Sequence, residues 1–307
     1  MGSHSTPQLP VIYLSDQTLK PGSEKWVEVR SDVRKALEDY GAFEVSYDRV
    51  SEELKESVLE AMKELFQLPV EAKRRNVSPK PYTGYMTHNG ISESLGIQDA
   101  NVLEKVNEFT QLLYALIVRV TRVPGQNFCL ENSERIHKFS EKLAELDVMV
   151  RMVFESFGIE DYYDENLKSM NYRLRLMKYT APRDVDTNVA AGANDAGDGA
   201  NTNNNGNTVL YQHEIEGLEV LTKDEKWIRL KPSHNSFVVI AGDSLYDCSR
   251  LQMEIMEIIE PPKELVDEQH PRVFKPLTYV DLMSFYHTEV GRRARSTLHA
   301  YCAVSGA

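Results

Sequence analysis

From Ile136 to Phe157 apolar residues recur at three- and four-residue intervals: Ile136, Phe139, Leu143, Leu146, Val150, Val153 and Phe157. No other stretch restricts the chain so much, because this spacing puts side chains on one face only in a helix, and a stripe sustained over about six turns has to be buried. One long helix is predicted from Asn132, ending at Gly158, a residue suited to the left-handed conformation that stops helices. Met149 and Met152 belong to its packing rather than to a ligand set. His137 falls beside the stripe, at a surface or boundary position. An apolar content of 41% in 307 residues is enough for a real core around such an element.

Upstream, Leu9 to Leu14 is a short apolar run opened by Pro10, where a strand loses no ladder donor. A helix is expected from Trp26 to Tyr40, with Val29, Val33, Ala36 and Leu37 inward and Gly41 as its stop. Phe43 to Val45 then resumes as a strand. Ser51 is a candidate cap followed by Glu52 and Glu53, the acids that a helix dipole favours in a first turn. Leu54, Val58, Met62 and Leu65 mark the buried face of that helix, and Pro69 punctuates it. Glu71 to Asn76 is expected to be a solvated charged turn, with Lys73, Arg74 and Arg75 as a surface face rather than a binding patch.

Further on, Asn171 to Tyr179 alternates in period two, with Leu174 and Leu176 on one side and the arginines on the other, as a strand does. Composition then collapses. Ala190 to Asn207 is almost entirely Ala, Gly, Asn and Asp, which cannot bury enough surface to offset its conformational entropy and is expected to be a mobile loop. Thr208 to Val220 carries two apolar segments around a turn and leads on to Lys223 to Ile228.

A net charge of -12 argues against nucleic acid or an anionic membrane as partner and leaves small metabolites or proteins, although no protein partner can be named. Cys129, Cys248 and Cys302 stand far apart with no paired spacing, so neither a disulfide framework nor a zinc site is indicated and a reducing compartment fits. Met1 to Pro7 has neither the basic nor the apolar region of a signal peptide, and no apolar run approaches the roughly 20 residues of a membrane helix. The cytosol is the expected location.

Several punctuated motifs occur in a telling order: Leu9-Pro10-Val11-Ile12, Tyr40-Gly41-Ala42-Phe43, the run from Glu64-Leu65-Phe66 to Ala72-Lys73, and Tyr82-Thr83-Gly84-Tyr85. In this order the chain resembles the plant 2-oxoglutarate, Fe(II)-dependent dioxygenases, and is especially similar to the branch that makes alkenyl and hydroxyalkyl glucosinolates. The resemblance spans about Leu9 to Val304. It implies an α+β chain built on a double-stranded β-helix, or jelly roll, with an N-terminal helical region over 1–110 and a long bracing helix over 132–160. The oxygenase core would fill 170–275 and a C-terminal helix 276–304. Relatives use Fe(II) and 2-oxoglutarate to hydroxylate or desaturate small metabolites.

Three departures interrupt the match. Leu112 to Val118, with Arg119 to Arg122 behind it, stands where relatives join their flanks through a couple of residues; it is either an added strand or coding sequence read through a splice junction, the second being favoured. Seven positions before the equivalent of Thr208, relatives carry His-x-Asp, two of their three iron ligands. In the same register this chain has Asn201-Thr202-Asn203. After Gln252 about two dozen residues are missing by the measure of relatives, enough at ordinary strand rise for two or three strands, and with them go the third ligand and the arginine that pairs with the 2-oxoglutarate tail. The barrel is therefore expected to be incomplete.

Tyr179 matches the tyrosine that hydrogen-bonds the distal carboxylate of 2-oxoglutarate in relatives, and the alternative is a strand-end tyrosine whose hydroxyl meets water. Substitute ligands are not evident. His213, Glu214 and Glu216 are expected on a strand with diverging faces, His234 in a turn and His270 in a loop. His287 and Glu289 are expected on a C-terminal helix, where positions i and i+2 diverge. These residues predict an oxygenase homologue that holds neither iron nor 2-oxoglutarate productively and is inactive or impaired. Two alternatives stand: an active oxygenase with unusual ligands around His213 or His234, and a metal-free small-molecule binder.

Overall fold

The computed structural model describes residues 8–16, 18–78, 84–88, 92–121, 126–164, 172–179, 207–213, 218–221, 226–231, 236–241, 258–259, 263, 266–268, 274–286, 288–294 and 297–303. In chain order they include β1 (Val11–Tyr13), α1 (Glu24–Tyr40), β2 (Ala42–Ser46), α2 (Glu52–Gln67), α3 (Val70–Lys73), β3 (Met86–His88), β4 (Ser92–Gln98), α4 (Leu103–Thr121) and α5 (Gln126–Ala144). A 3-10 turn (Glu145–Asp147) leads to α6 (Val148–Ser156), β5 (Arg173–Tyr179), β6 (Asn207–Leu210), β7 (Glu219–Leu221), β8 (Trp227–Arg229) and β9 (Ser236–Ala241). Last come β10 (Ile258–Ile259), β11 (Leu277–Thr278), α7 (Tyr279–Tyr286), α8 (Glu289–Arg293) and α9 (Thr297–Cys302). They fall into two compact units, one of residues 1–48, 147–170 and 191–307, the other of 49–146 and 171–190.

The first unit is organised by a four-stranded sheet in the order β1-β2-β9-β6, with β1 parallel to β2 and the other pairs antiparallel. Strand β9 is apolar throughout Phe237 to Ile240 because both of its faces are covered. On one face Phe43 stands opposite Val239 and Val45 opposite Phe237, all sealed from solvent. On the other, Ala42, Val238 and Ile240 pack with Val220, Ile228 and Leu230 of the β7–β8 hairpin region. The sequence reading of Leu9–Leu14 and Phe43–Val45 as strands agrees with this sheet.

Helix α1 begins at Ser23, whose Oγ accepts the Trp26 N–H at 3.1 Å, and ends at Gly41, whose φ of 69° lets its N–H reach the Leu37 carbonyl. Helix α6 packs on α1 through one carboxylate. Glu155 accepts the indole N–H of Trp26 at 2.5 Å and Arg151 Nε at 2.8 Å, and lies 3.5 Å from Arg30 Nη1. Arg34 donates to the Ser156 carbonyl and lies 4.3 Å over the Phe157 ring.

Instead of one C-terminal helix, the end of the chain has β11 followed by three short helices around Phe274, Leu277, Leu282, Tyr286, Leu298 and Cys302. Thr288 restarts the helix by accepting the Gly291 N–H at 3.0 Å. Glycine is required there, since a Cβ on Gly291 would stand 2.1 Å from the Phe285 carbonyl oxygen.

In the second unit Ser51 caps α2 as the sequence indicates, accepting the Leu54 N–H at 3.2 Å. The fully buried face is Val58, Ala61, Leu65 and Phe66 with Lys55, while Leu54 and Met62 are half-buried. Residues 112–118 belong to α4 and are not a strand. The physical reason lies upstream: Val106, Phe109, Thr110, Leu113 and Tyr114 are buried at helical spacing, and that period prevails over the local β-branched composition. A buried polar set joins the helices. Asn132 Nδ2 donates to Glu64 Oε2 at 2.8 Å and to the Tyr114 hydroxyl at 2.9 Å, and the Thr110 and Ser133 hydroxyls meet at 2.6 Å.

The long helix expected from Asn132 starts earlier, at Gln126, and is broken by the 3-10 turn at Glu145–Asp147. Ile136, Phe139, Leu146, Val150 and Val153 are buried as the stripe requires, Met149 and Met152 pack in the core, and Gly158 adopts a φ of 69°. Asp147 makes no capping hydrogen bond at the break, and burial pushes its carboxyl up to about 7.

Opposite pH signatures follow for two acids. Burial raises the Glu155 carboxyl, but the bonds from Trp26 and Arg151 and the nearby arginines outweigh it and leave the pKa lowered. Its stabilisation is present above the ordinary value of 4.5 and lost as pH falls through the lowered folded value, so Glu155→Gln should cost about 1–3 kcal/mol at pH 7 and little in strong acid. For Asp147 the folded pKa is raised, so stability falls as pH climbs from about 4 to about 7. Asp147→Asn should therefore raise stability by about 1–2 kcal/mol at pH 8 and leave it unchanged near pH 3. Urea titrations across pH check both.

Candidate functional site

Tyr179, expected from the family resemblance either to contact 2-oxoglutarate or to end a strand with its hydroxyl on water, is the last residue of β5 in the antiparallel sheet β3-β4-β5. Strand alternation gives this sheet two chemically different faces. Leu95 stands opposite Leu176 and Ile97 opposite Leu174, which makes one face the apolar side. That face ends in ions. Glu93 is paired in register with Lys178 and accepts from Lys73 Nζ at 2.5 Å and from the Tyr85 hydroxyl at 3.0 Å, while Lys73 also donates to the Phe66 carbonyl at 2.9 Å.

The expected solvated turn is thus only partly solvated: Arg74 and Arg75 are exposed, but Lys73 is 3% exposed and Asn76 is buried, its Nδ2 on the Gly96 carbonyl at 3.0 Å. Lys73 is sealed because the carboxylate, the carbonyl and the Phe66 and Tyr85 rings replace its water. Burial, followed by the bond to Glu93, pushes the Tyr85 phenol up to about 12, so it stays a neutral donor. Sequence reasoning missed this set because its carboxylate lies twenty residues from its lysine; the one local signal was a strand acid within an alternating segment.

The other face carries Tyr179 opposite Ser92, and Arg175 and Arg173 opposite Gly96 and Gln98. Arg175 donates to Ser94 Oγ through Nε and Nη2, both at 3.2 Å, and Ser94 is buried. Tyr179 is 60% exposed. Partial desolvation raises its phenol above the ordinary value, and the charge of Arg175 opposes that rise.

Asn201 and Asn203, expected from the family resemblance at the register of two iron ligands, lie outside the described residues, as do His234, His270 and His287. The chain is described again from Asn207, which opens β6 opposite Ala241. His213 does not lie on a strand as expected: β6 stops at Leu210, and the imidazole is exposed in the irregular segment beyond, with Glu214 and Glu216 outside the described residues. His137 is half-buried on α5, and His299 meets the Phe274 ring edge-on at 4.7 Å. Cys129 is buried, its thiol pushed up by burial, and Cys302 is buried too. Among the described residues no group of three His, Cys, Asp or Glu side chains is placed to hold a metal ion. The two amides in the ligand register do not suit Fe(II), which takes imidazole nitrogen and carboxylate oxygen in such sites.

The fold is that of known oxygenases. The structure superposes on the rice dioxygenase for auxin oxidation with a TM-score of 0.71 at 24% identity, covering 97% of this chain and 100% of that one. It superposes on JOX2, solved in complex with 2OG, Fe and JA, with a TM-score of 0.68 at 21% identity, covering 99% and 92%. Residues 9–110 match the N-terminal family of non-haem dioxygenases in morphine synthesis, and residues 169–255 match the 2OG-Fe(II) oxygenase superfamily. Among curated relatives, the probable 2-oxoglutarate-dependent dioxygenase AOP1 of Arabidopsis thaliana is 50% identical over 96% of both chains. The probable inactive 2-oxoglutarate-dependent dioxygenase AOP2 of the same plant is 44% identical over 100% of both. The chain belongs to the 2-oxoglutarate/Fe(II)-dependent dioxygenase family. No helix among the described residues is long and apolar enough to cross a membrane.

Removing the buried carboxylate tests the ionic end of the sheet. Glu93→Gln should cost about 3–5 kcal/mol by stranding Lys73, and Lys73→Met together with Glu93→Leu should recover most of that loss. Urea unfolding of the three proteins measures it.

Proposed function

We propose that this chain is a family member that has lost, or nearly lost, iron-dependent oxidation, and that it stands on an incomplete double-stranded β-helix. The observation that carries the proposal is Asn201-Thr202-Asn203 in the register of His-x-Asp. Each change removes a donor the metal needs. An amide is a poor neutral ligand in place of imidazole, and replacing a carboxylate also removes the charge that offsets the cation. The shortened stretch after Gln252, which lacks the matching third ligand and the arginine for the 2-oxoglutarate tail, supports the same reading. Tyr179 is then the surviving contact for 2-oxoglutarate, too little on its own to hold it productively. A relative described as probable inactive shows that loss of activity is an accepted assignment for one nearby protein.

The partner on this reading is a small metabolite met in a reducing, cytosolic compartment, rather than nucleic acid or membrane. Acidic net charge and cysteines that stand far apart in the sequence, with no paired spacing, support that choice.

Anaerobic Fe(II) titration of the purified chain should give well under one equivalent bound, and 2-oxoglutarate supplied with iron and oxygen should yield no succinate above the protein-free control. Stoichiometric iron with succinate production at the rates of AOP relatives would overturn the proposal. Loss of that turnover in His213→Ala or His234→Ala would then favour an oxygenase with unusual ligands.

A further inference from the structure

The turn that leaves α3 carries two exposed arginines and then a serine followed by proline, and we propose that Ser78 is phosphorylated by a proline-directed protein kinase, with Arg74 and Arg75 receiving the phosphate. Proline follows a serine or threonine only at Thr6-Pro7 and Ser78-Pro79, and of those two hydroxyl residues Ser78 alone lies among the described ones. Proline disfavours helix at the residue before it, and Ser78 stands in irregular backbone, the form in which a kinase cleft can take a segment as an extended piece. A cleft that accepts proline after the acceptor gains a fixed φ and has no N–H to satisfy there. Ser78 is half-buried, but the residues leading to it are open: Arg74 and Arg75 are exposed and Val77 is 81% exposed. The hydroxyl residues of the helices, among them Ser57, Ser133 and Ser140, are held in a backbone that such a cleft cannot take.

The three cations of this run have different work. Lys73 is occupied by Glu93, whereas Arg74 and Arg75 make no ion pair among the described residues. Arg75 is three residues before Ser78, a backbone span of at most about 11 Å that an arginine and a phosphoserine side chain close between them. Phosphoserine carries a charge of about −1.5 to −2 and three acceptor oxygens, and guanidinium meets phosphate through paired N–H donors. The segment is tied to its surroundings next to that point. The Asn76 carbonyl accepts the Tyr85 N–H at 2.7 Å, and a Cβ on Gly84 would stand 3.4 Å from the Ser78 nitrogen. A phosphate clamped by the arginines therefore fixes the path from α3 past Gly84 and Tyr85. In the transfer, Ser78 Oγ bonds to the γ-phosphorus of ATP, the bond from that phosphorus to the bridging oxygen breaks, ADP leaves, and the hydroxyl proton passes to the catalytic aspartate of the kinase. None of this involves the iron register, so the site is the same in an active and an inactive chain.

The full chain is incubated with ATP and a kinase of the mitogen-activated class, and separately with a basophilic kinase of the cyclic-AMP-dependent class, each shown active on its own standard substrate. Mass spectrometry then maps the sites, with Thr6 counted apart from Ser78. The proline-directed kinase should label Ser78, Ser78→Ala should lose that label, and Pro79→Ala should slow it roughly tenfold or more. Titration of the phosphorylated chain by 31P NMR should give a second phosphate pKa below that of the same chain in urea. Substituting Arg74→Gln and Arg75→Gln together should bring the folded value back toward the unfolded one, and added salt should do so in part. Thermal melting of each variant shows that it is folded. An unlabelled Ser78 in the folded chain, labelling by the basophilic kinase alone, or a phosphate pKa unmoved by the arginine substitutions would each overturn the proposal.

Discussion

Pairing of β2 with β9 is the constraint on which the first unit rests, because it joins a strand at residues 42–46 to one at residues 236–241. Five consecutive register pairs, from Ala42 with Ile240 to Ser46 with Ser236, fix which side chains enter each layer. A slip of one residue would turn Phe43 and Val45 away from Phe237 and Val239 and expose both sets. Strand β6, which pairs with the other edge of β9, and the hairpin whose Val220, Ile228 and Leu230 cover one face of the sheet both lie between β2 and β9 in sequence, so that register also decides what they can pack against.

The second unit solves a different problem, that of keeping charge on a half-buried sheet. Glu93 gathers Lys73, Lys178 and the Tyr85 hydroxyl on the apolar face, so the buried cation there, Lys73, is matched in low dielectric while Lys178 stays at the surface. Among the described residues of the sheet, no carboxylate shares the face of Arg173 and Arg175.

What could be read from sequence follows how local each cause is. Ser51, Gly41 and Gly158 act on their own backbone neighbours, and all three do in the structure what their chemistry suggests. The strand 173–179 was legible because Leu174 and Leu176 alternate with arginines. The break at Glu145–Asp147 was not, because the apolar stripe continues across it while the backbone tightens to the 3-10 form and restarts as α6. Lys73 looked solvated because the carboxylate that buries it comes from another element. The run at 112–118 was not recognised as helix because its composition was weighed without the helical period entering it from Val106. Of the candidate site, Tyr179 and its arginine neighbours could be placed by alternation alone. The histidines could not: His213 leaves the strand at Leu210, where no residue marks the end of pairing.

Oxygen activation and metabolite binding fail differently when a fold drifts. Iron chemistry needs several donors held together, so losing two of them removes it almost entirely and restoring one does little. Anion recognition needs a guanidinium and room for the ligand, and a single strand can hold both. On the reading proposed here, the metal register is carried on connections outside the sheet, whereas the arginines alternate along β5 with Leu174 and the buried Leu176, and that alternation fixes their direction. Mutation can therefore erase the first without disturbing the second. Catalysis would be expected to go before binding, because the strand that carries the cations is also the strand that holds the sheet.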